Sequence, residues 1–435
     1  MKLKKLLSLS LAAAMTLSMA TACSSGQQPS STPGSAPAAS SGSGSSATSD
    51  PVSGGTITIM SDDNTYDGFD DYLKAAEEAC GITIEQVPIP TNMDDRQSKI
   101  TTLLSSGDTS VDIFTLSEDM SRSFAAAGFL YDLTDKVMTD ETSANFFEAC
   151  VDMGLANGKR YVVPNFVEYI TFWVDESILK EYGYDNIDTI ENFEGFCEKF
   201  KQANNGKFAY GSAWEQFYLY NDVAIWTYVF GGDCNNWKDP NTMKALEFMK
   251  KMLDNGWTTE GAMADQYDTS MPKQFDGTYA ITTTSSTFIS TYEKTGRYGP
   301  GELQLVLPPK VGDNPRKCMI SGWTYGMSAA SQNVDAALKF MEWAASKEGQ
   351  EAYYTLTQRT PARKDVASSD FYNPINAKEI KEYVDGVEVA CRPLPKEGYA
   401  YQLEIGAYFQ KYLLGQMSLE DATDSLKEIH DKYFV

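Results

Sequence analysis

The stretch "GGTITIMSDDNTYDGFDDYLKAAEEACGITIEQVPIP" (residues 54–90) decides the fold class of this chain. It opens with β-branched residues that alternate after a glycine pair, which predicts a strand over 54–60. Apolar residues then recur at helical spacing as far as Gly81, which predicts a helix that ends at this glycine. Residues 82–90 return to a strand pattern. The stretch therefore predicts a strand–helix–strand unit.

The segments that follow continue the alternation. The sequence "DRQSKITTLLSSGD" (95–108) predicts another helix, and "VDIFTL" (111–116) predicts another strand. Such a series is typical of an α/β fold with a mostly parallel sheet. Because ligands of such sheets bind at the carboxyl ends of strands, we expect the loops 61–65 and 117–121 to line a site. No G-x-G-x-x-G or G-x-x-x-x-G-K-[ST] pattern occurs, so no nucleotide or other cofactor is predicted.

The amino-terminal residues predict export and anchoring. A basic start precedes an apolar run that ends in small residues directly before Cys23, which resembles the lipobox of bacterial lipoproteins. Residues 1–22 are therefore predicted to be a lipoprotein signal peptide, and Cys23 the lipidated residue. Residues 23–53, rich in Ser, Gly, Pro and Ala, are predicted to be a disordered linker. We expect an extracellular protein held at the outer face of the cytoplasmic membrane; an ordinary signal peptide with a chance cysteine is the alternative.

The length of the chain bounds the number of lobes, and its net charge argues against a nucleic-acid partner. The 382 residues from Gly54 to Val435 suffice for two lobes with separate cores, and they hold no later apolar run of membrane-spanning length. The formal net charge of −24 would repel nucleic acid and anionic lipid, so no nucleic-acid partner is predicted. We expect a monomer.

Histidine and cysteine usage excludes several chemistries. The single histidine, His430, lies near the chain end, which excludes multi-histidine zinc sites and disfavours a Ser-His-Asp mechanism. Six cysteines follow Cys23 with no C-x-x-C spacing, so no metal site is predicted, and their redox state stays open. The sequence "DDNTYDG" (62–68) lacks the ligands of a calcium loop.

Two segments of the second half, 241–257 and 333–356, carry Met, Leu and Phe at helical spacing. We predict a long amphipathic helix for each and assign the methionines to the core rather than to a methionine-rich site.

The order of several longer motifs resembles that of the extracellular solute-binding proteins of ABC transporters, the maltose-binding-protein-like family. The motifs are "VDIFTLSEDMSRSFAAAGFLYDLT" (111–134), "GKRYVVPNFVEYITFWVDESILKEYGYD" (158–185), "FDGTYAIT" (275–282), "SGWTYGMSAASQNVDAALKFMEWAASKEGQ" (321–350) and "LLGQMSLEDATDSL" (413–426). Each is weak alone, but their order and spacing are specific, and the likeness covers nearly all of 54–435.

This resemblance implies an α/β fold of the type II periplasmic-binding-protein kind, with two lobes, a hinge and a ligand cleft between the lobes. It places residues 54–166 with 302–348 in the amino-terminal lobe and 167–301 with 349–435 in the carboxy-terminal lobe. It implies a binding protein that delivers a small molecule, expected to be a mono- or oligosaccharide, to the transmembrane subunits of an ABC permease. It implies no catalysis.

Sugars require carboxylates for their hydroxyls and flat rings for their C–H faces. Matching the family motifs gives acidic candidates in the two loops and at the hinge, and aromatic candidates from later segments. These ligand-binding candidates are Asp63, Asp119, Glu168, Trp214, Tyr218, Tyr220, Trp323 and Tyr401. Each has a plainer explanation, which is a solvated loop carboxylate for the acids and core packing for the aromatic residues.

The sequence departs from the family pattern after "FDGTYAIT", where Thr287 and Phe288 replace a frequent tryptophan and Ser285 and Ser286 predict a smaller, more polar lip. Two alternatives therefore stay open. One keeps the fold with a peptide, a polyamine or another small solute as ligand. The other is a surface-anchored glycoside hydrolase that uses two of the same carboxylates.

Overall fold

The computed structural model describes residues 54–61, 67–90, 93–203, 206–369 and 386–434. The predictions for the signal peptide, for Cys23, for the linker and for Asp63 lie outside the described residues.

Strands and helices alternate along the described chain. The strands are β1 (Thr56–Ser61), β2 (Thr83–Pro88), β3 (Ile113–Ser117), β4 (Leu155–Ala156), β5 (Lys159–Arg160), β6 (Val162–Asp175), β7 (Phe208–Tyr210), β8 (Tyr279–Ser285), β9 (Leu303–Val306), β10 (Lys317–Met327) and β11 (Glu388–Ala390).

The helices of the amino-terminal half are α1 (Phe69–Cys80), α2 (Met93–Ser106), α3 (Glu118–Ala126), α4 (Asp140–Ser143), α5 (Glu148–Asp152), α6 (Glu176–Glu181), α7 (Ile190–Ala203) and α8 (Gln216–Val229). Those that follow are α9 (Pro240–Asp254), α10 (Tyr267–Phe275), α11 (Ile289–Lys294), α12 (Val334–Ala345), α13 (Lys347–Thr357), α14 (Lys364–Ala367), α15 (Gly398–Leu413) and α16 (Leu419–Tyr433).

The first three strands form the predicted parallel arrangement, with β1 paired to both β2 and β3. Helix α1 ends where the sequence predicted, because Gly81 adopts φ 64° and donates its N–H to the carbonyl of Glu77 at 2.9 Å. A residue with a β-carbon is strained in this left-handed conformation, which explains why the helix stops at glycine. The prediction of a β-α-β-α-β start is confirmed.

Two long strands carry the sheet from one half of the molecule to the other. The order is β2-β1-β3-β10-β6-β8-β7, with β11 also paired to β10 and β9 also paired to β6. Strand β10 pairs with β3 through residues 323–327, and β6 pairs with β8 through residues 170–174. Strands β6 and β10, which pair with each other, therefore connect the β1–β3 end of the sheet to the β7–β8 end.

Three clusters of buried side chains flank this sheet. One contains Ile100 and Phe114, a second contains Ile57 and Phe340, and the largest gathers residues of β6, α7, α8, α9, α15 and α16. Met249 and Met341 are fully buried within these clusters, which confirms that such methionines belong to the core.

The prediction of one long helix over 333–356 is wrong. Helix α12 ends at Ala345, and Ser346 adopts an extended conformation from which its hydroxyl accepts the N–H of Gly349 at 3.0 Å. A serine that caps the next helix competes with continuation of the previous one, so α13 starts afresh at Lys347.

Strand β9 pairs with residues 172–175 of β6, at the end of β6 that also meets β8. The lobe boundaries inferred from the sequence stay predictions.

In the part of the chain that the structure describes, no helix is both long enough and apolar enough to cross a membrane.

Candidate functional site

A cavity of about 170 Å³ opens where β3, β6, β8 and β10 meet the start of α8. Four of the sequence-predicted ligand residues line it, namely Asp119, Glu168, Tyr218 and Trp323. The other lining residues are Met93, Ser117, Glu118, Ile170, Phe217, Asn221, Tyr267, Ser285, Thr287, Phe288, Ser321 and Arg392. The sheet and α8 thus bring together residues that are far apart in sequence.

Asp119 lies in the first turn of α3, directly after strand β3. Its side chain is 2% exposed, and its Oδ1 accepts the hydroxyl of Ser117 at 2.7 Å. The other oxygen, Oδ2, is buried and has no hydrogen-bond partner among the described residues. Burial raises the pKa of Asp119, an effect that the hydrogen bond from Ser117 opposes. A buried carboxylate oxygen without a donor is costly, so this atom is suited to accept a hydrogen bond from a ligand.

Glu118 and Arg392 form a buried ion pair beside Asp119. Arg392 also donates to Oε1 of Gln402 at 2.6 Å, while its Nε is buried without a partner among the described residues. Burial raises the pKa of Glu118 to about 7, because the loss of solvation outweighs the opposing attraction of Arg392. Arg392, which lines the cavity, therefore keeps one N–H without an acceptor among the described residues.

Glu168 lies near the middle of β6, opposite Ser321 of β10. Its Oε1 accepts hydrogen bonds from the hydroxyls of Ser285 at 3.0 Å and Thr287 at 2.9 Å. The polar lip predicted around Ser285 therefore holds this carboxylate in place, and Oε2 takes no part in either bond.

Helix α8 contributes Phe217, Tyr218 and Asn221 to the cavity wall. Tyr218 packs edge-on against Tyr267, with ring centroids 5.0 Å apart. The Nδ2 of Asn221 donates to the hydroxyl of Tyr267 at 2.9 Å, and Oδ1 of Asn221 is buried with no donor in the described part of the chain. This wall combines aromatic surface with one unused acceptor.

Trp323 is half-buried on β10. Its ring stacks on Phe166 with centroids 6.4 Å apart and an angle of 19° between the rings, and the Arg96 guanidinium lies 5.2 Å from its centre. The indole is thus held in a fixed orientation at the cavity edge.

Three of the predicted residues do not line the cavity. Trp214, Tyr220 and Tyr401 are fully buried in the largest of the three clusters. The indole N–H of Trp214 donates to Asp222 at 2.7 Å, and the hydroxyl of Tyr220 donates to the carbonyl of Pro393 at 3.1 Å. Tyr401 packs edge-on against Tyr220. The structure therefore places these three rings in the core.

Sequence reasoning missed several lining residues. The helical phase of α8 offered a signal for Asn221, which lies three positions after Tyr218 and so shares its face. Phe217 is the neighbour of Tyr218 on the same helix, whereas Arg392 and Tyr267 belong to segments with no polar motif of their own. The tertiary fold brings these two segments to the cavity.

No group of acidic, histidine or cysteine side chains suited to a metal ion occurs among the described residues. The six cysteines within these ranges are free thiols, and Cys150, Cys197, Cys234 and Cys318 are buried. The residues that line the cavity offer hydrogen-bonding groups and aromatic surface.

Comparison with known proteins gives consistent matches. The profile described as "Bacterial extracellular solute-binding protein" matches residues 71–381. An uncharacterized ABC transporter extracellular-binding protein of Pyrococcus horikoshii is 24% identical over 260 residues, which are 57% of this chain and 57% of that protein. The galactooligosaccharide-binding protein of Bacillus subtilis is 22% identical over 328 residues, or 72% of this chain and 74% of that protein.

Among solved structures, maltose-bound MalE3 of T. maritima superposes with a TM-score of 0.71 at 20% identity, covering 88% of this chain and all of that one. This likeness shows the two-lobe periplasmic-binding-protein fold that the sequence predicted. The matched proteins bind solutes and are not enzymes, which removes the glycoside hydrolase alternative. The family functions outside the cytoplasm. The chain belongs to the bacterial extracellular solute-binding proteins of ABC transporters.

Proposed function

We propose that this protein is the lipid-anchored receptor of an ABC importer and that it binds a mono- or oligosaccharide in the cavity between β3, β6, β10 and α8. The ligand is then delivered to the transmembrane subunits of the permease. Hinge closure of the two lobes encloses the ligand and presents a surface to the permease.

The observation that carries this proposal is that three residues lining one cavity each have a buried polar atom with no hydrogen-bond partner among the described residues. Within the described ranges, Oδ2 of Asp119 and Oδ1 of Asn221 are acceptors without donors, and Nε of Arg392 is a donor without an acceptor. A ring of hydroxyl groups can donate to the first two and accept from the third, because each hydroxyl is both donor and acceptor. Native proteins rarely leave such groups unpaired, so a polyhydroxylated ligand accounts for all three.

The apolar part of the wall fits the same ligand. Phe217, Tyr218, Phe288 and Trp323 bring aromatic surface to the cavity. The C–H face of a sugar ring packs on such surface while its hydroxyls reach the polar atoms. The similarity to a galactooligosaccharide-binding protein and to a maltose-bound structure supports a carbohydrate.

The sequence before residue 54 supports the anchoring part of the proposal. Small residues precede Cys23, and a polar stretch rich in Ser and Gly separates it from the folded body. We propose that the lipid is attached to Cys23 and that the folded body is a monomer. We also propose that its two lobes have the boundaries predicted from the sequence.

A cationic solute such as a polyamine is the second candidate, because Asp119 and Glu168 line the cavity and Arg392 is paired with Glu118. Both candidates use the same carboxylates.

The test is a thermal-stability screen of residues 54–435 against sugars, amino acids, peptides and polyamines. A ligand present at about 100 times its Kd adds about 2.7 kcal/mol to the free energy of unfolding, enough to raise Tm by a few degrees. A shift with a sugar class and no reaction product supports the proposal, whereas a shift with polyamines alone selects the second candidate. Retention of a metabolically radiolabelled palmitate on the full chain, lost in Cys23→Ala, tests the anchor.

A further inference from the structure

A second cavity of about 460 Å³ shares two residues with the ligand cavity. It is lined by parts of α3, α5, β10 and β11, and its wall includes Glu118 and Arg392, which also line the ligand cavity. We call it the rear cavity. Among the described residues, Glu118 and Arg392 are the two that line both cavities, and they form an ion pair with each other.

The two cavities lie on opposite faces of the sheet. Ile320 lines the rear cavity, whereas its neighbour Ser321 lines the ligand cavity. Successive residues of a strand point to opposite faces, and Ser321 is in register with Glu168, which also lines the ligand cavity. The sheet itself therefore separates most of the two spaces.

The ion pair lies at a gap in the sheet, where the sheet does not separate the two cavities. Along one edge of β10, β3 pairs with residues 323–327 and β11 pairs with residues 317–319, so residues 320–322 have no strand partner there among the described residues. Glu118 follows the last residue of β3, and Arg392 comes two residues after β11. The two chain segments bring their side chains together at this gap.

Burial and a further hydrogen bond hold the side chains of Glu118 and Arg392 in place. Glu118 is 4% exposed and Arg392 is 6% exposed. Arg392 is also held by Gln402 of α15. A buried ion pair contributes little net stability compared with an apolar replacement, but it fixes geometry when its members are held by further hydrogen bonds.

We propose that the Glu118–Arg392 pair is a specificity-determining wall that closes the ligand cavity at the gap in the sheet, so that the receptor binds its saccharide with a terminal ring against Arg392. This inference rests on the proposed function and names the subclass of ligand. Nε of Arg392 donates to an oxygen of that terminal ring. A substituent extending from the ring at this end has no space, since the pair blocks the passage to the rear cavity.

The first test uses the wild-type protein and the sugar class found in the thermal screen. A series is prepared in which the saccharide carries one further sugar residue at its reducing end or at its non-reducing end, and Kd is measured by calorimetry. Extension at one end is expected to weaken binding at least tenfold, and extension at the other end to change Kd less than threefold. Equal tolerance of both extensions would overturn the inference.

The second test opens the wall. The double variant Glu118→Ala/Arg392→Ala removes both charges together, because removal of one leaves the other buried and unpaired. In this variant, the ratio of the Kd for the disfavoured extended sugar to the Kd for the parent sugar is expected to fall at least tenfold below the wild-type ratio. The double variant Glu118→Gln/Arg392→Met keeps the volume and should retain the wild-type preference.

Asp175→Ala/Arg297→Ala serves as the matched control, because this partly buried pair lines neither cavity. It should leave the preference unchanged. An unchanged preference in the Glu118/Arg392 alanine variant would refute the wall. If the wild type binds no saccharide at all, the proposed function itself fails, and this result is seen before any variant is made.

Discussion

A β-carbon placed on Gly398, the first residue of α15, would lie 3.1 Å from Cβ of Asp119, the carboxylate at the start of α3. This contact is tighter than ordinary van der Waals packing, so the start of α15 lies directly against the site. A larger residue at position 398 would require Asp119 or the start of α15 to shift by a few tenths of an ångström.

Gly398→Val is therefore expected to weaken ligand binding at least tenfold, because the added methyl groups push α15 away from Asp119. Calorimetric Kd values provide the measurement. Gly386→Val is the control, since a β-carbon at Gly386 meets no described residue within 4 Å. Equal affinity in the two variants would contradict the importance of this contact.

Asp119→Asn is expected to weaken binding by about 1–3 kcal/mol, because the amide presents donors where a ligand hydroxyl should donate to Oδ2. The stability of the free protein should change less than its affinity, since Oδ2 has no partner to lose among the residues that the structure describes. Asp135→Asn, at an exposed position outside the cavity, is the control and should bind as the wild type does.

Tyr218→Ala and Trp323→Ala should each weaken binding by about 1–3 kcal/mol through loss of ring contacts. Trp323→Ala should also lower Tm, because the indole packs on Phe166. Tyr408→Ala, a half-buried tyrosine of α15 outside the cavity, is the matched control for affinity. Unchanged affinity in both cavity variants would show that the ligand binds elsewhere.

Trp214→Phe should lower the free energy of unfolding by about 1–3 kcal/mol while leaving the affinity near that of the wild type. Its indole N–H is one of four donors to the buried Asp222, together with Tyr210, Ser212 and Thr283. Chemical denaturation and calorimetry on the same sample separate the two effects. A loss of affinity without a loss of stability would return Trp214 to the binding site.

Stability should depend on pH through Glu118. Its pKa in the folded protein is about 7, above the ordinary value of 4.5, because of burial. Between these values the folded state holds the proton more tightly than the unfolded state, so stability falls as pH rises from about 4.5 to about 7. Glu118→Gln should flatten this part of the Tm-versus-pH curve. Asp119→Asn is measured in parallel, since burial shifts the pKa of Asp119 in the same direction. A slope that is the same in the wild type and in Glu118→Gln would contradict the assignment.

Local patterns in the sequence determined much of this protein. Alternating β-branched residues and helical spacing predicted β1, α1, β2, α2 and β3, since periodicity depends only on which face of an element is buried. A single histidine excluded most metal and nucleophile chemistry. The order of motifs indicated the family.

The tertiary structure decided which residues form the site. The pairing of Ser117 with Trp323 brings the end of β3 beside β10, although more than two hundred residues lie between them in sequence. Arg392 reaches Glu118 through the same sheet. Local periodicity carries no information about such long-range register, so the sequence could not place Arg392 in the site.

Local periodicity also could not tell which aromatic residues of α8 line the cavity. Tyr218 and Tyr220 stand two positions apart on α8, and a helix turns by about 200° over two residues, so one ring faces the cavity while the other lies in the core. The sequence determined that this segment is rich in aromatic residues. Only the packing of α8 against α15 and the sheet decided which side of the helix meets the ligand.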